Sequence, residues 1–130
     1  MITLDKVKDL VREYQTKYRN PALKPFDYIE RFNLVTKTPV CPELAAKKGV
    51  YVILQNDTVL YIGKSSAQKK AIWHRIVDHM YSSKPSSWAK DATHFIGWAV
   101  ADDLFFEASA LEEFLIFKLR DSLPNNCVGK

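Results

Sequence analysis

The sequence predicts an α+β domain in which a β-hairpin gains a third strand and is covered by amphipathic helices. Residues 49–63 (GVYVILQNDTVLYIG) hold two apolar runs around Gln-Asn-Asp-Thr, which is typical of a hairpin with an Asn-Asp turn. Residues 93–100 (THFIGWAV) have the composition of a strand that can join the hairpin. Helical periodicity in three other stretches supplies the covering helices.

Length and composition favour one independently folding domain. The chain has 130 residues, of which 47% are hydrophobic, enough for one packed core and short for two. We therefore predict a single domain over 1–130, with an N-terminal helix and irregular extension (1–46) and a core (47–130). No apolar run approaches the roughly 20 residues that span a bilayer, so we expect no membrane partner and a cytoplasmic location. Cys41 and Cys127 lack partners at zinc or disulfide spacing and are expected to be reduced thiols.

The net charge of +4 is modest, but the positive charge is concentrated. Residues 64–90 carry six basic side chains against one acidic side chain, Asp78, and residues 1–48 carry ten against six. Such a stretch can contact phosphates. A charged face is more often a solvated face, so composition alone leaves both interpretations open.

The N-terminal part is predicted to be one helix followed by an irregular connector. Residues 3–19 show helical spacing, with Thr3 as the N-cap, and the helix is expected to stop at Asn20-Pro21. Residues 21–48 hold four of the six prolines. We predict an irregular segment there with one or two helical turns.

A second helix is predicted over residues 67–81, after the hairpin. On a helical wheel His74 and Asp78 face away from the apolar stripe, whereas Arg75 and His79 lie one turn apart along its edge. The stripe consists of Ile72, Trp73, Ile76, Val77 and Met80. A cleft would run along such an edge.

The last helix is predicted to be capped by Asp102 or Asp103 and to end near Leu123-Pro124. Glu112 falls inside its buried stripe, whereas Glu113 points away. The stripe consists of Ala108, Leu111, Leu115 and Leu119. A carboxylate in an apolar stripe is unfavourable unless it is paired, bound to a metal or at a wet edge, so Glu112 is either a hydrogen-bonded core residue or a functional acid.

The hairpin carries two tyrosines that can share one face. Tyr51 lies near Gly49 at the start of the hairpin, and Tyr61 lies near Gly63 at its end. Because strand side chains alternate between faces, tyrosines at matched positions of the two strands can lie on the same face. The alternatives are a pair of phenols in a site and two aromatic residues in a core.

These residues together resemble the GIY-YIG nuclease family. Residues 49–51 stand for the first signature and residues 61–63 for the second, and Lys64 follows directly, as a basic residue does in the repair-incision branch. Arg75 with His79 four residues on is similar to the family's helix arginine and its partner.

The resemblance continues to the C-terminal part, and it spans roughly residues 47–127. Residues 111–116 (LEEFLI) resemble the glutamate helix, in a register that selects Glu112, and Pro124-Asn125-Asn126 resembles the Pro and Asn that close the module.

Two departures from the family pattern leave choices open. Arg75 lies twelve residues after Gly63, a longer gap than in the compact repair enzymes, so Gln68-Lys69-Lys70 would be an inserted turn. Which cation binds the phosphate therefore stays open. Asn125 and Asn126 both fit the closing asparagine, and Asn125 fits better because it directly follows the proline.

The resemblance implies a three-stranded antiparallel sheet flanked by helices, a site across the sheet face, and phosphodiester hydrolysis with one divalent metal, Mg²⁺ or Mn²⁺. By resemblance, Glu112 binds the metal and Arg75 binds the phosphate. Tyr51 is the general base, Tyr61 forms a hydrogen bond to the phosphate or the water, and His79 accepts or relays the proton. Positive neighbours are expected to favour the Tyr51 phenolate. The positions assigned to substrate binding are Gly63, Lys64, Lys69, Lys70, Asn125 and Asn126.

The function predicted from the sequence is therefore a metal-dependent DNA endonuclease with low sequence specificity, unless the N-terminal region or a loop predicted over 82–90 adds some. One alternative is a module that binds nucleic acid without cutting it. Another is a nuclease or toxin-like subunit that acts with, or is inhibited by, a protein partner bound to the N-terminal extension. Repair, restriction, mobile-element and toxin roles stay open.

Overall fold

A four-stranded antiparallel sheet organises the structure. The computed structural model describes residues 2–36, 39–67, 70–123 and 125. Within them the strands are β1 (Asp27–Asn33), β2 (Gly49–Gln55), β3 (Thr58–Ser65) and β4 (His94–Ala99), in the spatial order β1-β4-β2-β3. Helices lie on both faces of this sheet, so the predicted α+β class is confirmed.

The hairpin of β2 and β3 forms as predicted, with Asn56 and Asp57 in its turn. Asn56 has φ +55°, in the left-handed region that asparagine tolerates better than most residues. The strand predicted within residues 93–100 is also present. It pairs antiparallel with β2 along its whole length and lies in the interior of the sheet.

The fourth strand, β1, is a correction to the predicted three-stranded sheet. It comes from the segment predicted to be an irregular connector, and it pairs with β4 at the edge of the sheet. Its register shifts between Ile29 and Phe32, and Ile29 alone among its residues is fully buried. A bulged edge strand with one buried side chain lacks the clean alternation by which strands are recognised in a sequence.

In the described part of the chain, three α-helices cover the sheet: α1 (Leu4–Glu13), α2 (Ile72–Met80) and α3 (Phe106–Leu119). α1 continues as a π-helical turn to Tyr18. α1 and α3 pack on the face that carries Val50 and Val52, whereas α2 packs on the face that carries Tyr51 and Ile53. No helix in the described part of the chain has both the length and the apolar character needed to cross a bilayer.

α1 begins where predicted, directly after Thr3, whereas α2 and α3 begin later than predicted. Thr3 precedes α1, but its side chain makes no capping bond, and its backbone forms a bridge with Thr58 instead. α2 begins at Ile72 and not at Ala67, because the backbone is still extended at Ala71. Before α3, residues 102–104 form a 3₁₀ turn, and no aspartate side chain caps the helix.

A buried ion pair joins the N-terminal region to α3. The Arg19 guanidinium donates two hydrogen bonds of 2.7 Å to the two carboxylate oxygens of Glu107. The side chains are only 6% and 7% exposed. The helical wheel indicates Glu112 as the acid of this helix that needs an explanation, but Glu107 is the more deeply buried of the two.

Candidate active site

A hydrogen-bonded row of three side chains runs from the sheet to the loop after α2. The Tyr51 hydroxyl lies 2.9 Å from His79 Nε2, and His79 Nδ1 lies 2.7 Å from the Ser86 hydroxyl. The Ser86 amide also donates to the His79 carbonyl at 2.9 Å, which folds the loop back onto the helix. Tyr51 and His79 were both predicted as site residues, and the structure brings them together.

Two glycines flank Tyr51 in the sheet, and one of them, Gly63, makes room for its ring. Tyr51 pairs with Gly63 on β3 and with Gly97 on β4. A Cβ at Gly63 would stand 2.4 Å from both the hydroxyl and Cζ of Tyr51. The ring therefore lies directly over the backbone of Gly63, where any other residue would displace it. This steric requirement gives Gly63, predicted as a substrate-binding position, a structural role.

Tyr61 lies diagonally across the hairpin from Tyr51, because its direct cross-strand partner is Ile53. The two phenol rings share one face, as predicted, with centroids 6.3 Å apart. Trp88 covers them from outside: its ring stacks on Tyr61 at 5.1 Å and contacts the His79 ring at 5.0 Å. The ring stack shields the Tyr51–His79 hydrogen bond from solvent.

The protonation states of this row follow from burial. Burial raises the pKa of Tyr51 far above its usual range, Tyr61 and Glu112 add to the rise, and Arg75 opposes it. Burial also lowers the pKa of His79, and Arg75 lowers it further. Arg75 lowers the pKa of Tyr51, as expected of a positive neighbour, but burial has the larger effect. A neutral phenol faces a neutral imidazole, which can accept its proton.

Glu112 lies within electrostatic range of two cations. Its side chain is half-buried, whereas that of Glu113 is exposed, as the wheel predicted. Burial raises the pKa of Glu112, and Lys64 and Arg75 oppose the rise. No hydrogen bond or ion pair links the carboxylate to another described residue. The acid is thus not accounted for as a paired core residue.

The two cations are held in different ways. Lys64 Nζ donates to the hydroxyls of Ser109 on α3 at 2.7 Å and of Ser66 at 3.0 Å. Arg75 lies half-buried on α2, and its Nε is buried with no hydrogen-bond partner among the described residues. No described carboxylate forms a salt bridge with either cation. Both charges are therefore left for an anionic ligand.

The candidate residues meet around the β3 edge of the sheet, not across one face. Tyr51 and His79 lie on the face covered by α2, and Lys64 bonds to α3 on the opposite face. β3 is the outermost strand, and Gly63 presents no side chain at this point. Residues from both faces can therefore share one ligand at this edge, and the effect of Glu112 on the pKa of Tyr51 fits that proximity.

The donor set limits what metal this site can hold. Among the described residues no group of three or more His, Cys, Asp or Glu side chains could bind a metal ion. Glu112 is a single oxygen ligand, which suits an ion that keeps most of its water and takes one or two carboxylates, as Mg²⁺ does. It does not suit zinc, which needs three or four protein ligands.

The other predicted substrate-binding residues stand apart from the hydrogen-bonded row. Lys70 is exposed, with its amine 3.6 Å from Asp78. The Asn125 amide donates to the Leu60 carbonyl at 2.8 Å, so it anchors the C-terminal segment to the edge strand. Lys69 and Asn126 lie outside the described residues.

Sequence reasoning missed Ser86, Trp88, Ser109 and Gly97. Ser86 and Trp88 belong to the segment predicted as a loop, and a tryptophan in a polar loop is itself a signal, because so large a ring usually packs against something. Gly97 interrupts an apolar strand, which indicates a close approach of another group. Ser109 carries no signal in the sequence alone.

Comparisons of the chain with models of protein families, with curated proteins and with solved structures gave no match.

Proposed function

We propose that the protein is a metal-dependent endonuclease that hydrolyses DNA phosphodiester bonds at the site around Tyr51. The observation that carries the proposal is the row from Tyr51 through His79 to Ser86, within electrostatic range of an Arg75 guanidinium that forms no salt bridge with a described carboxylate. The resemblance to the GIY-YIG nucleases rests on the same residues. Together they supply a proton acceptor and phosphate-binding cations in one place.

His79 is the final proton acceptor of the proposed reaction. As a water molecule attacks phosphorus and the P–O bond to the leaving strand breaks, the water's proton passes to the Tyr51 oxygen while the Tyr51 proton passes to His79 Nε2. In the tautomer with the ring proton on Nδ1, the Ser86 hydroxyl accepts that proton in a hydrogen bond, and His79 Nε2 is free to take the Tyr51 proton. Since both transfers are coupled, no free phenolate has to form in a site where burial disfavours it.

The two cations orient the phosphate. The Arg75 guanidinium would bind non-bridging oxygens through its planar fork, and the Lys64 ammonium, positioned by Ser66 and Ser109, would contribute a second positive charge. Charge that develops on the phosphate in the transition state is stabilised by donors that are already in place.

Glu112 would hold the metal ion. When bound there, Mg²⁺ or Mn²⁺ would supply Lewis-acid stabilisation of the phosphate and of the leaving oxygen. Because Lys64 and Arg75 lie near the same carboxylate, we expect the free protein to bind the metal weakly. A bound phosphodiester adds negative charge, so metal affinity should rise in the presence of DNA.

A second candidate function is a module that binds nucleic acid without cutting it. The raised pKa of Tyr51 favours it, because a phenol that resists ionisation serves as well for packing as for catalysis. The unpaired cations would serve this function equally.

Incubation with supercoiled plasmid separates the two functions. A nuclease converts the plasmid to nicked or linear forms with Mg²⁺ or Mn²⁺ and leaves it intact with a chelator. The Arg75→Ala variant, purified in parallel, reports contaminating nuclease. Binding without conversion under all metal conditions would favour the non-cutting module.

A further inference from the structure

A basic cavity lies where β2 and α2 begin. It encloses about 190 Å³ and is lined by Lys47, Lys48, Lys70, His74 and Asp102, together with Ala46 and Ala71. Three lysines face one aspartate, so the lining carries an excess of two positive charges. Such a cavity attracts an anion about the size of a phosphate.

The lysines are available to bind. Lys47 lies 3.9 Å from Asp27, and Lys70 lies 3.6 Å from Asp78, but these side chains are largely exposed and such pairs contribute little. Lys48 pairs with no described acid; its amine lies 5.9 Å from the centre of the Phe105 ring. The amines can therefore turn toward a ligand at small energetic cost.

His74 adds a neutral donor to the cavity. Its Nδ1 accepts a hydrogen bond of 3.0 Å from the Ala71 amide. In the neutral ring the proton then resides on Nε2, which can donate to an oxygen of a bound anion.

An exposed aromatic pair adjoins Lys48, through the contact of its amine with the Phe105 ring. Phe105 is 46% exposed and Phe106 is 56% exposed. The two rings meet edge to face at 5.9 Å. Exposed rings beside a basic cavity are the combination by which proteins bind single-stranded nucleic acid: the cations bind the backbone and the rings stack on bases.

We propose that this cavity binds a phosphate of a nucleic-acid strand and that Phe105 stacks on an unpaired base of the same strand. The inference rests on the proposed function, because the strand is the one that enters the active site. Lys48 immediately precedes Gly49, which pairs with Ser65, the residue after Lys64. The cavity and the active-site lysine therefore lie at the same end of the hairpin, and the preferred substrate has an unpaired segment.

Binding without cleavage tests this inference apart from catalysis. We would measure the fluorescence anisotropy of a labelled single-stranded oligonucleotide and of the matching duplex, with the unmodified protein and its variants in EDTA over a range of salt. The double substitution Lys47→Gln/Lys48→Gln removes two lysines of the cavity, and Lys6→Gln/Lys118→Gln is its control, which removes two lysines elsewhere. Phe105→Leu is matched by Phe117→Leu, since Phe117 is 62% exposed on α3.

The unmodified protein should bind the single strand more tightly than the duplex. The cavity double variant should bind the single strand about tenfold more weakly, and its salt slope should fall by about 0.7, the value for one lost phosphate contact on a single strand. Phe105→Leu should weaken the affinity for the single strand about tenfold and leave the affinity for the duplex unchanged. The control variants should bind as the unmodified protein does.

The inference would be overturned if the cavity variants and the control variants lost equal affinity. It would also be overturned if Phe105→Leu lost as much affinity for the duplex as for the single strand. A lack of preference for the single strand would likewise overturn it. If plasmid is not cut but these binding effects appear, the proposed nuclease function is wrong and the inference that the cavity binds a strand is retained. If plasmid is cut and the cavity variants bind normally, only the inference about the cavity is wrong.

Discussion

The Tyr51 hydroxyl and His79 Nε2 lie 2.9 Å apart, and burial drives their pKa values in opposite directions, up for the phenol and down for the imidazole. Each shift favours the neutral form, so the pair holds one transferable proton and one site to receive it. A phenol that could not ionise alone becomes usable when a proton acceptor lies in direct contact. This pairing is the reason to assign the row to proton transfer.

Tyr51→Phe should reduce cleavage about 10²-fold, the usual scale for loss of a general base. The substitution keeps the ring over Gly63 and removes only the hydroxyl, so the free energy of unfolding should fall by about 1 kcal/mol, the value of one hydrogen bond. Single-turnover cleavage and chemical denaturation measure the two quantities. Tyr61→Phe, with the same chemical change on the other ring, should lose less activity. Full activity in Tyr51→Phe would move the base to another group.

The cleavage rate should rise with pH through the pKa of His79, which lies below 6.5, and should then level off. The sign follows because only the neutral imidazole accepts a proton, and burial and Arg75 both favour that form, with Asp78 opposing them. His79→Gln should lower the plateau and remove this limb, and only the acid limb due to Glu112 should remain. Rate profiles from pH 5 to 9 decide the point. A rate that climbs tenfold per pH unit up to pH 9 would indicate a phenolate mechanism instead.

Arg75→Ala should reduce turnover by about 10²- to 10³-fold, the scale for loss of a preorganised charge at a transition state. Its melting temperature should hardly change, because the guanidinium has no described carboxylate partner and its buried Nε has no hydrogen bond to lose. Arg12→Ala, on the exposed surface of α1, is the control and should alter neither property. A large drop in melting temperature for Arg75→Ala would show that the residue is structural.

Glu107→Gln should destabilise the fold by about 3 kcal/mol or more, because it leaves the Arg19 guanidinium buried without a counter-charge. Asp9→Asn breaks an exposed pair with Arg12 and should lose less than about 0.5 kcal/mol. Urea unfolding of both variants gives the comparison. Similar small losses in both would mean that water or another group solvates Arg19. Cleavage at 25 °C should be unchanged in Glu107→Gln, since the pair lies outside the active site.

The parts of the fold that could be predicted from the sequence are those that local patterns determine. The hairpin follows from an Asn-Asp turn between two apolar runs, and the edge position of Arg75 and His79 follows from helical spacing. β1 could not be predicted in the same way, because a bulged edge strand depends on its partner strand β4 for its form.

The candidate site was predictable in its residues but not in its protonation. Tyr51, His79 and Glu112 came from pattern and resemblance, whereas the covering Ser86 and Trp88 required the loop to fold back in three dimensions. The net pKa shift of Tyr51 depends on how burial compares with the charge of Arg75. A sequence contains the charges but not the burial.

Glu112 and Glu113 provide the most direct test of the proposed nuclease, because they are adjacent, chemically identical and differently placed: Glu112 is half-buried near Lys64 and Arg75, and Glu113 is exposed. The measurement is the rate of plasmid nicking at saturating Mg²⁺ for Glu112→Gln, Glu113→Gln and the unmodified protein. The proposal predicts that Glu112→Gln abolishes nicking and that Glu113→Gln keeps most of it. Equal rates in the two variants, or Mg²⁺-dependent nicking that survives Glu112→Gln, would contradict it.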